Sequence, residues 1–171
     1  MKSKLLVLLL STFCLSSYAK QPTVQPSNGI ESRHIVVVNK AKKTYVAGGS
    51  TIKLVNAFGK TKVEKEADEV LGGFAYTYIY PGLEVYFNGK NWEGMDLKTN
   101  DYVVLLNGHP IAVGDNINKL SQLFPLSYKN KTKEGMHLNI THKGKPTDAF
   151  VSFNCNAKGV INLIIIANDN S

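Results

Sequence analysis

The chain has 171 residues, 43% hydrophobic and 19% charged, with 20 Lys and Arg against 13 Asp and Glu, a formal net charge of +7. This balance excludes a collagenous or wholly disordered chain, and the lack of any run of five or six like charges excludes a polycationic nucleic-acid tail. Two cysteines, Cys14 and Cys155, are too few for the disulfide framework of a small stapled fold.

The first 19 residues have the three parts of a cleavable secretory signal peptide. Lys2 and Lys4 give a positive start, Leu5 to Leu10 open an apolar stretch, and Ser17-Tyr18-Ala19 places small residues at the −3 and −1 positions. The uncharged run from Leu5 to Ala19 is shorter than the roughly 20 residues a membrane-spanning helix needs, and no later stretch is long and apolar enough. A lipoprotein would carry its lipid on Cys14, but Ser11-Thr12-Phe13 does not supply the leucine and small residues a lipobox requires. Cleavage before Lys20 therefore predicts a periplasmic or secreted protein with no stable membrane span. It removes Cys14 and two lysines, leaving a net charge of +5 and Cys155 as the single thiol. The remaining lysines are scattered, with a mild cluster from Lys129 to Lys145, and read as a solvated surface with no nucleic-acid partner.

Residues 20–33 are rich in Pro, Ser and Gln and read as a flexible lead-in. From His34 the chain repeats itself. His34 to Asn39 matches Tyr102 to Asn107, Tyr45 to Gly48 matches Ile111 to Gly114, and Lys53-Leu54 with Phe58 matches Lys119-Leu120 with Phe124. Val85-Tyr86-Phe87-Asn88 matches Val151-Ser152-Phe153-Asn154. Matches held in order predict two tandem units, 34–101 and 102–171.

Each unit opens with a β-branched strand, a turn and a second short strand. Ser50 or Asn116 then caps a short helix ended by Gly59 or Pro125. The helix is carried by Ile52, Val55 and Phe58 in the first copy and by Ile117, Leu120 and Phe124 in the second. Three strands follow: 75–80, 83–88 and 92–98, then 136–141, 149–154 and 160–167, with Pro81-Gly82 as a tight turn. Lys62 to Glu69 falls in a loop. The expected fold class is α+β: two tandem β-β-α-β-β-β repeats with antiparallel sheets and short helices on one face.

The stretch Gly114-Asp115-Asn116-Ile117-Asn118-Lys119-Leu120-Ser121-Gln122-Leu123-Phe124-Pro125, echoed by Gly48 to Gly59, resembles the small α+β unit of the outer-membrane-assembly lipoproteins (SmpA/OmlA-like). In tandem it is similar to β-lactamase-inhibitor-like proteins. The resemblance implies a non-catalytic protein that binds other proteins. It carries no functional residue across, because the lipobox of the first group and the paired cysteines of the second are missing here.

The chemistry-bearing residues are sparse. A nucleophilic Cys155 would need a histidine, and His34, His109, His137 and His142 are the choices. No helix start or nucleophile turn is present to activate the thiol, so a small cysteine-dependent enzyme is the weaker reading. His137 and His142 sit five apart on one strand, on opposite faces, so no shared metal is expected, and no cofactor loop is present. The most informative surface candidate is aromatic: Phe74, Tyr76, Tyr78 and Tyr80 on one strand face, with Tyr86 and Trp92 in the neighbouring strands. These rings either pack on the helix or form a protein-binding surface, for which Tyr76, Tyr78, Tyr80, Tyr86 and Trp92 are the named residues. The resulting expectation is an exported protein-binding module of inhibitor or immunity type, with an envelope structural or assembly accessory as the alternative.

Overall fold

The computed structural model describes residues 27–69 and 72–168. The leader, Cys14 and the first residues of the lead-in lie outside the described residues. In chain order the strands are β1 (Gly29–Glu31), β2 (Ile35–Asn39), β3 (Thr44–Val46), β4 (Lys62–Ala67), β5 (Phe74–Tyr80), β6 (Leu83–Asn88) and β7 (Asn91–Leu97). They continue with β8 (Tyr102–Leu106), β9 (His109–Ala112), β10 (Gly135–His142), β11 (Lys145–Cys155) and β12 (Ile161–Asn168). Helix α1 spans Thr51–Phe58 and α2 spans Pro125–Lys129, with 3-10 turns at Ser32–His34 and Ile117–Leu120. The class is α+β, with sheet dominant and the helices few and short.

The strands form two sheets. A large sheet has the order β1-β10-β11-β12-β7-β6-β5-β4, and a small one has the order β3-β2-β8-β9. Neighbours are antiparallel except β1 on β10. Side chains directly opposite across a strand pair share a face, so the registers sort the residues. In the large sheet the row Tyr78, Val85, Met95, Ile166, Val151, Leu138 faces inward. The next row, Ile79, Glu84, Asp96, Ile165, Ser152, His137, faces outward. The small sheet turns Ile35, Val37, Tyr45, Val104, Leu106 and Ile111 inward, each at most 2% exposed. All these inward residues belong to one continuous core between the sheets. A fully buried side chain of this size contributes roughly 1.5–3 kcal/mol.

The small sheet's outward face has its own composition. Its two rows are Val46, Val36, Leu105, Pro110 and Thr44, Val38, Val103, Ala112, with no charged side chain.

Helix α1 closes one side of the core. Ser50 caps it by accepting the Lys53 N–H, and Gly59, at φ 88°, ends it. Leu54 is fully buried. Phe58 sits among three tyrosines, with ring centroids 6.2 Å from Tyr45, 5.9 Å from Tyr80 and 5.4 Å from Tyr102. One side chain thus ties α1 to both sheets.

Three local expectations change. The second helix does not end at Pro125. The chain makes a 3-10 turn over Ile117–Leu120, and Pro125 then opens α2 at a first-turn position, where its missing N–H costs nothing. Residues 62–67 are not loop but the edge strand β4, and its alternating Lys and Glu suit an edge that must not pair further. The expected flexible lead-in contains β1 and a 3-10 turn. Ile30 is 2% exposed there, and the Glu31 carboxylate accepts the Lys143 and Gly144 N–H groups and the Thr141 hydroxyl. These bonds, the Gly144 N–H first, hold the Glu31 carboxyl below the usual carboxylate range.

Candidate functional site

The large sheet has twice as many strands as the small one, and its inward face changes character where the cover ends. On β5 the inward residues run from buried to open. Tyr80 is 6% exposed and its hydroxyl donates to the Gly59 carbonyl at 3.0 Å, with burial pushing its pKa up to about 12. Tyr78 is half-buried, its ring edge-on to Phe87 at 5.5 Å. Tyr76 is also half-buried, and Phe74 at the strand's start is 45% exposed. The Lys65 ammonium lies 3.6 Å from the Phe74 ring centroid and 5.8 Å from that of Tyr76, cation–π geometry that holds the lysine over the rings.

Register carries this strip across the sheet as Lys65, Tyr76, Phe87, Trp92. Trp92 is half-buried, and its indole N–H is buried without an acceptor among the described residues. Its backbone carbonyl accepts the Asn168 amide at 2.9 Å. Beyond Trp92 the strip opens into a cavity of about 560 Å³ between the two sheets. Ile35, Ile140 and Ala149 line its apolar part, and Ser32, Ser50, His142 and Thr147 supply polar groups. Lys90, Asn91 and Asn168 line it too, so the hollow joins an apolar patch to polar and charged groups that can orient a ligand. The Gly48–Ser50 segment before α1 forms one wall, so the helix cap and the site depend on the same residues.

Of the five residues singled out in the sequence, Tyr76, Tyr78, Tyr80 and Trp92 share the inward face. Tyr86 faces the other way. Its hydroxyl oxygen is 2.9 Å from Glu84 Oε2 and 3.0 Å from Asp96 Oδ2. A phenol has one proton and can donate to one carboxylate at a time. The second contact is satisfied when a carboxyl holds a proton and donates to the phenol oxygen. The Lys98 ammonium, 2.6 Å from Glu84, and the Tyr86 hydroxyl keep the Glu84 carboxyl below its ordinary range. Burial pushes the Asp96 carboxyl up, against the opposing pull of Tyr86 and Lys98. Burial also raises the Tyr86 phenol.

Cys155 is half-buried, and its thiol points to the Phe153 carbonyl at 4.0 Å. Burial raises its pKa, outweighing the opposing Lys131 charge, which keeps it a thiol at neutral pH. Cys155 and His137 line one open groove of about 770 Å³ with Lys98, Glu134 and Asn154. No hydrogen bond joins the two among the described residues, and the His137 ring packs edge-on to Phe150 at 6.2 Å. The His142 Nδ1 faces the Ser32 hydroxyl at 3.4 Å. Among the described residues no three His, Cys, Asp or Glu side chains gather as a metal site would need, and no helix is long and apolar enough to cross a membrane.

The inter-sheet cavity had no signal in the sequence. Its lining comes from five strands, the 3-10 turn at Ser32, the loop before α1 and the β6–β7 turn, brought together by topology. A trace of it lay in Trp92, the chain's single tryptophan.

No protein-family model and no curated protein sequence matches the chain. Among solved structures it is similar to an extracellular protein containing an SCP domain from Bacillus anthracis str. Ames. The TM-score is 0.43 and the identity 10%, over 71% of this chain and 44% of that one. The chain thus spans less than half of that protein's length, and a likeness this slight bears on neither fold nor function.

Proposed function

We propose that the chain is exported, is trimmed to begin at Lys20, and acts outside the cytoplasm as a protein-binding module of inhibitor or immunity type. The observation that carries this reading is the aromatic strip. Phe74 and Tyr76 on β5 and Trp92 on β7 flank β6, graded from open to half-buried, beside the inter-sheet cavity. Rigid aromatic side chains of this kind lose little entropy on binding and dominate protein interfaces. The buried indole N–H of Trp92 offers a donor to a partner that rearranges the strip.

The two-copy organisation belongs to the same proposal. It is supported by pairing between like strands: β2 with β8, the first of each unit, and β7 with β12, the last of each. A unit of about 66 residues is marginal alone, and a joint sheet supplies the missing burial.

Photo-crosslinking side chains placed at Phe74 and Tyr76, with Asn139 as an outward control, test the reading in cells. A discrete protein adduct from positions 74 and 76 and none from 139 is expected. No adduct, or equal adducts from all three, overturns it. The alternative, an accessory docked on an envelope complex, predicts the same adducts from a membrane-pelleting pool. A freely soluble pool counts against that alternative.

A further inference from the structure

We propose that the outer face of the small sheet, with the lysine groove beside it, is a docking surface for an anionic lipid bilayer. The face is an apolar field built on Val36, Val38, Val103 and Leu105, all half-buried, and it ends in Val46, which is 45% exposed. Helix α1 does not cover it, because Leu54 and Phe58 turn to the core side of that sheet. Contiguous apolar surface of this kind marks an interaction site.

Next to it, across the β3 edge, lies a groove of about 570 Å³ between the β2–β3 turn and α1. Val46 belongs to both the face and the groove. Lys42, Lys43 and Lys53 line the groove with no acidic residue. Their ammonium groups have no ion-pair partner among the described residues, whereas the nearby Lys40 is paired with Asp101. Ile52, 71% exposed, stands one helical turn before Asn56, which also lines the groove. Unpaired cations therefore flank exposed aliphatic side chains on one side of the molecule.

The composition selects the occupant. Protein interfaces favour Trp, Tyr and Arg and are depleted in lysine. This face has no aromatic side chain; the cations along its β3 edge are lysines, and Arg33 adds a further positive charge at its other end beside Val36 and Leu105. Lysines beside aliphatic surface are what anionic headgroups over an acyl boundary attract. A second copy of the chain would bring like charges together. The surface is separate from the aromatic strip, so the two proposals stand or fall apart.

The test is co-sedimentation of the chain from Lys20, which retains every described residue, with phosphatidylcholine vesicles with and without phosphatidylglycerol. Binding only to the anionic vesicles is expected, falling steeply as salt shortens the screening length. The triple variant Lys42→Gln, Lys43→Gln, Lys53→Gln should lose roughly a hundredfold in partitioning, about fivefold per lysine. Val36→Thr with Val103→Thr, which keeps the β-branched shape, should lose severalfold. Lys42 lies in the left-handed region at φ 60°, so Lys42→Gly should weaken partitioning without loss of thermal stability, which separates binding from folding. The proposal is overturned by equal binding to neutral vesicles, by no binding, or by lysine variants that partition like the parent. Displacement by inorganic phosphate would show a small-anion site instead. Self-association abolished by the valine variant would show a second copy, and a protein adduct from a crosslinker at Val36 would show a protein partner.

Discussion

Replacing Phe58 with alanine removes the side chain that ties α1 to both sheets. Phe-to-Ala changes in cores cost about 3–5 kcal/mol, and because Phe58 is half-buried the lower end, about 3 kcal/mol, is expected. For a chain of this length that corresponds to a fall in Tm of about 6–12 °C. Phe58→Leu keeps most of the burial and forfeits only the ring geometry with Tyr45, Tyr80 and Tyr102. Such aromatic pairs contribute about 0.5–1.5 kcal/mol each beyond area, and because the three contacts are coupled a total loss of about 1–2 kcal/mol is expected. Urea unfolding of both variants, followed by tyrosine and Trp92 fluorescence, gives the two numbers. If Phe58→Leu matches the parent within about 0.5 kcal/mol, the ring cluster contributes nothing specific. If Phe58→Ala costs under about 1 kcal/mol, α1 is not held by this residue and the account of how it positions Ser50 and Lys53 fails.

Four further outcomes follow from particular contacts. Asp96 has its carboxyl pKa raised in the folded protein, so its stabilising contribution is full below the usual 3.8 and is lost as pH rises through the raised value. Asp96→Asn should therefore gain stability relative to the parent as pH rises across that window. Glu84 is the reverse: its pKa is lowered, so its contribution is present above 4.5 and disappears as pH falls. Glu84→Gln should cost stability at neutral pH and not in acid, and urea midpoints at a series of pH values check both signs. Gly94→Val should cost about 1–3 kcal/mol by thermal unfolding, because a Cβ there would lie 3.0 Å from the Ile166 carbonyl oxygen and 3.2 Å from Ala167, across the β7–β12 seam. The Cys155 thiol should react with a disulfide reagent more slowly than a free cysteine across neutral pH and accelerate only in alkali, and rapid labelling at neutral pH would contradict its burial.

Local structure was readable where one residue decides it. Ser50 as a cap, Gly59 as a stop and Pro81-Gly82 as a turn depend on short-range hydrogen bonds and dihedral limits, and Gly82 does lie at φ 79°. Period-2 alternation in β6 sets Leu83, Val85 and Phe87 apart from Glu84, Tyr86 and Asn88, and grouping Tyr86 with the β5 tyrosines overlooked it. Pro125 was misread because proline is compatible with both a helix end and a helix start, and the choice lay in the turn before it. β4 was misread because its Lys-Glu pattern is that of a loop as well as of an edge strand. Its identity comes from pairing with β5, which is a contact and not a composition.

Exposure along a single face was beyond the sequence for a different reason. Phe74, Tyr76, Tyr78 and Tyr80 have one periodicity and one chemistry, yet they run from 45% to 6% exposed. What varies is the cover above them, and the cover is a four-stranded sheet under an eight-stranded one. The same mismatch acts on the small sheet. Ile35 to Val38 is a continuous apolar run, the pattern of a strand buried on both faces, and Val103 to Leu106 repeats it. The fold buries only one side of these runs. The other side, Val36 and Val38 beside Val103 and Leu105, keeps a core composition with no described element over it. An apolar pattern that the chain's own fold does not consume requires a second surface to explain it, and the unpaired lysines at its edge specify the charge that surface must carry.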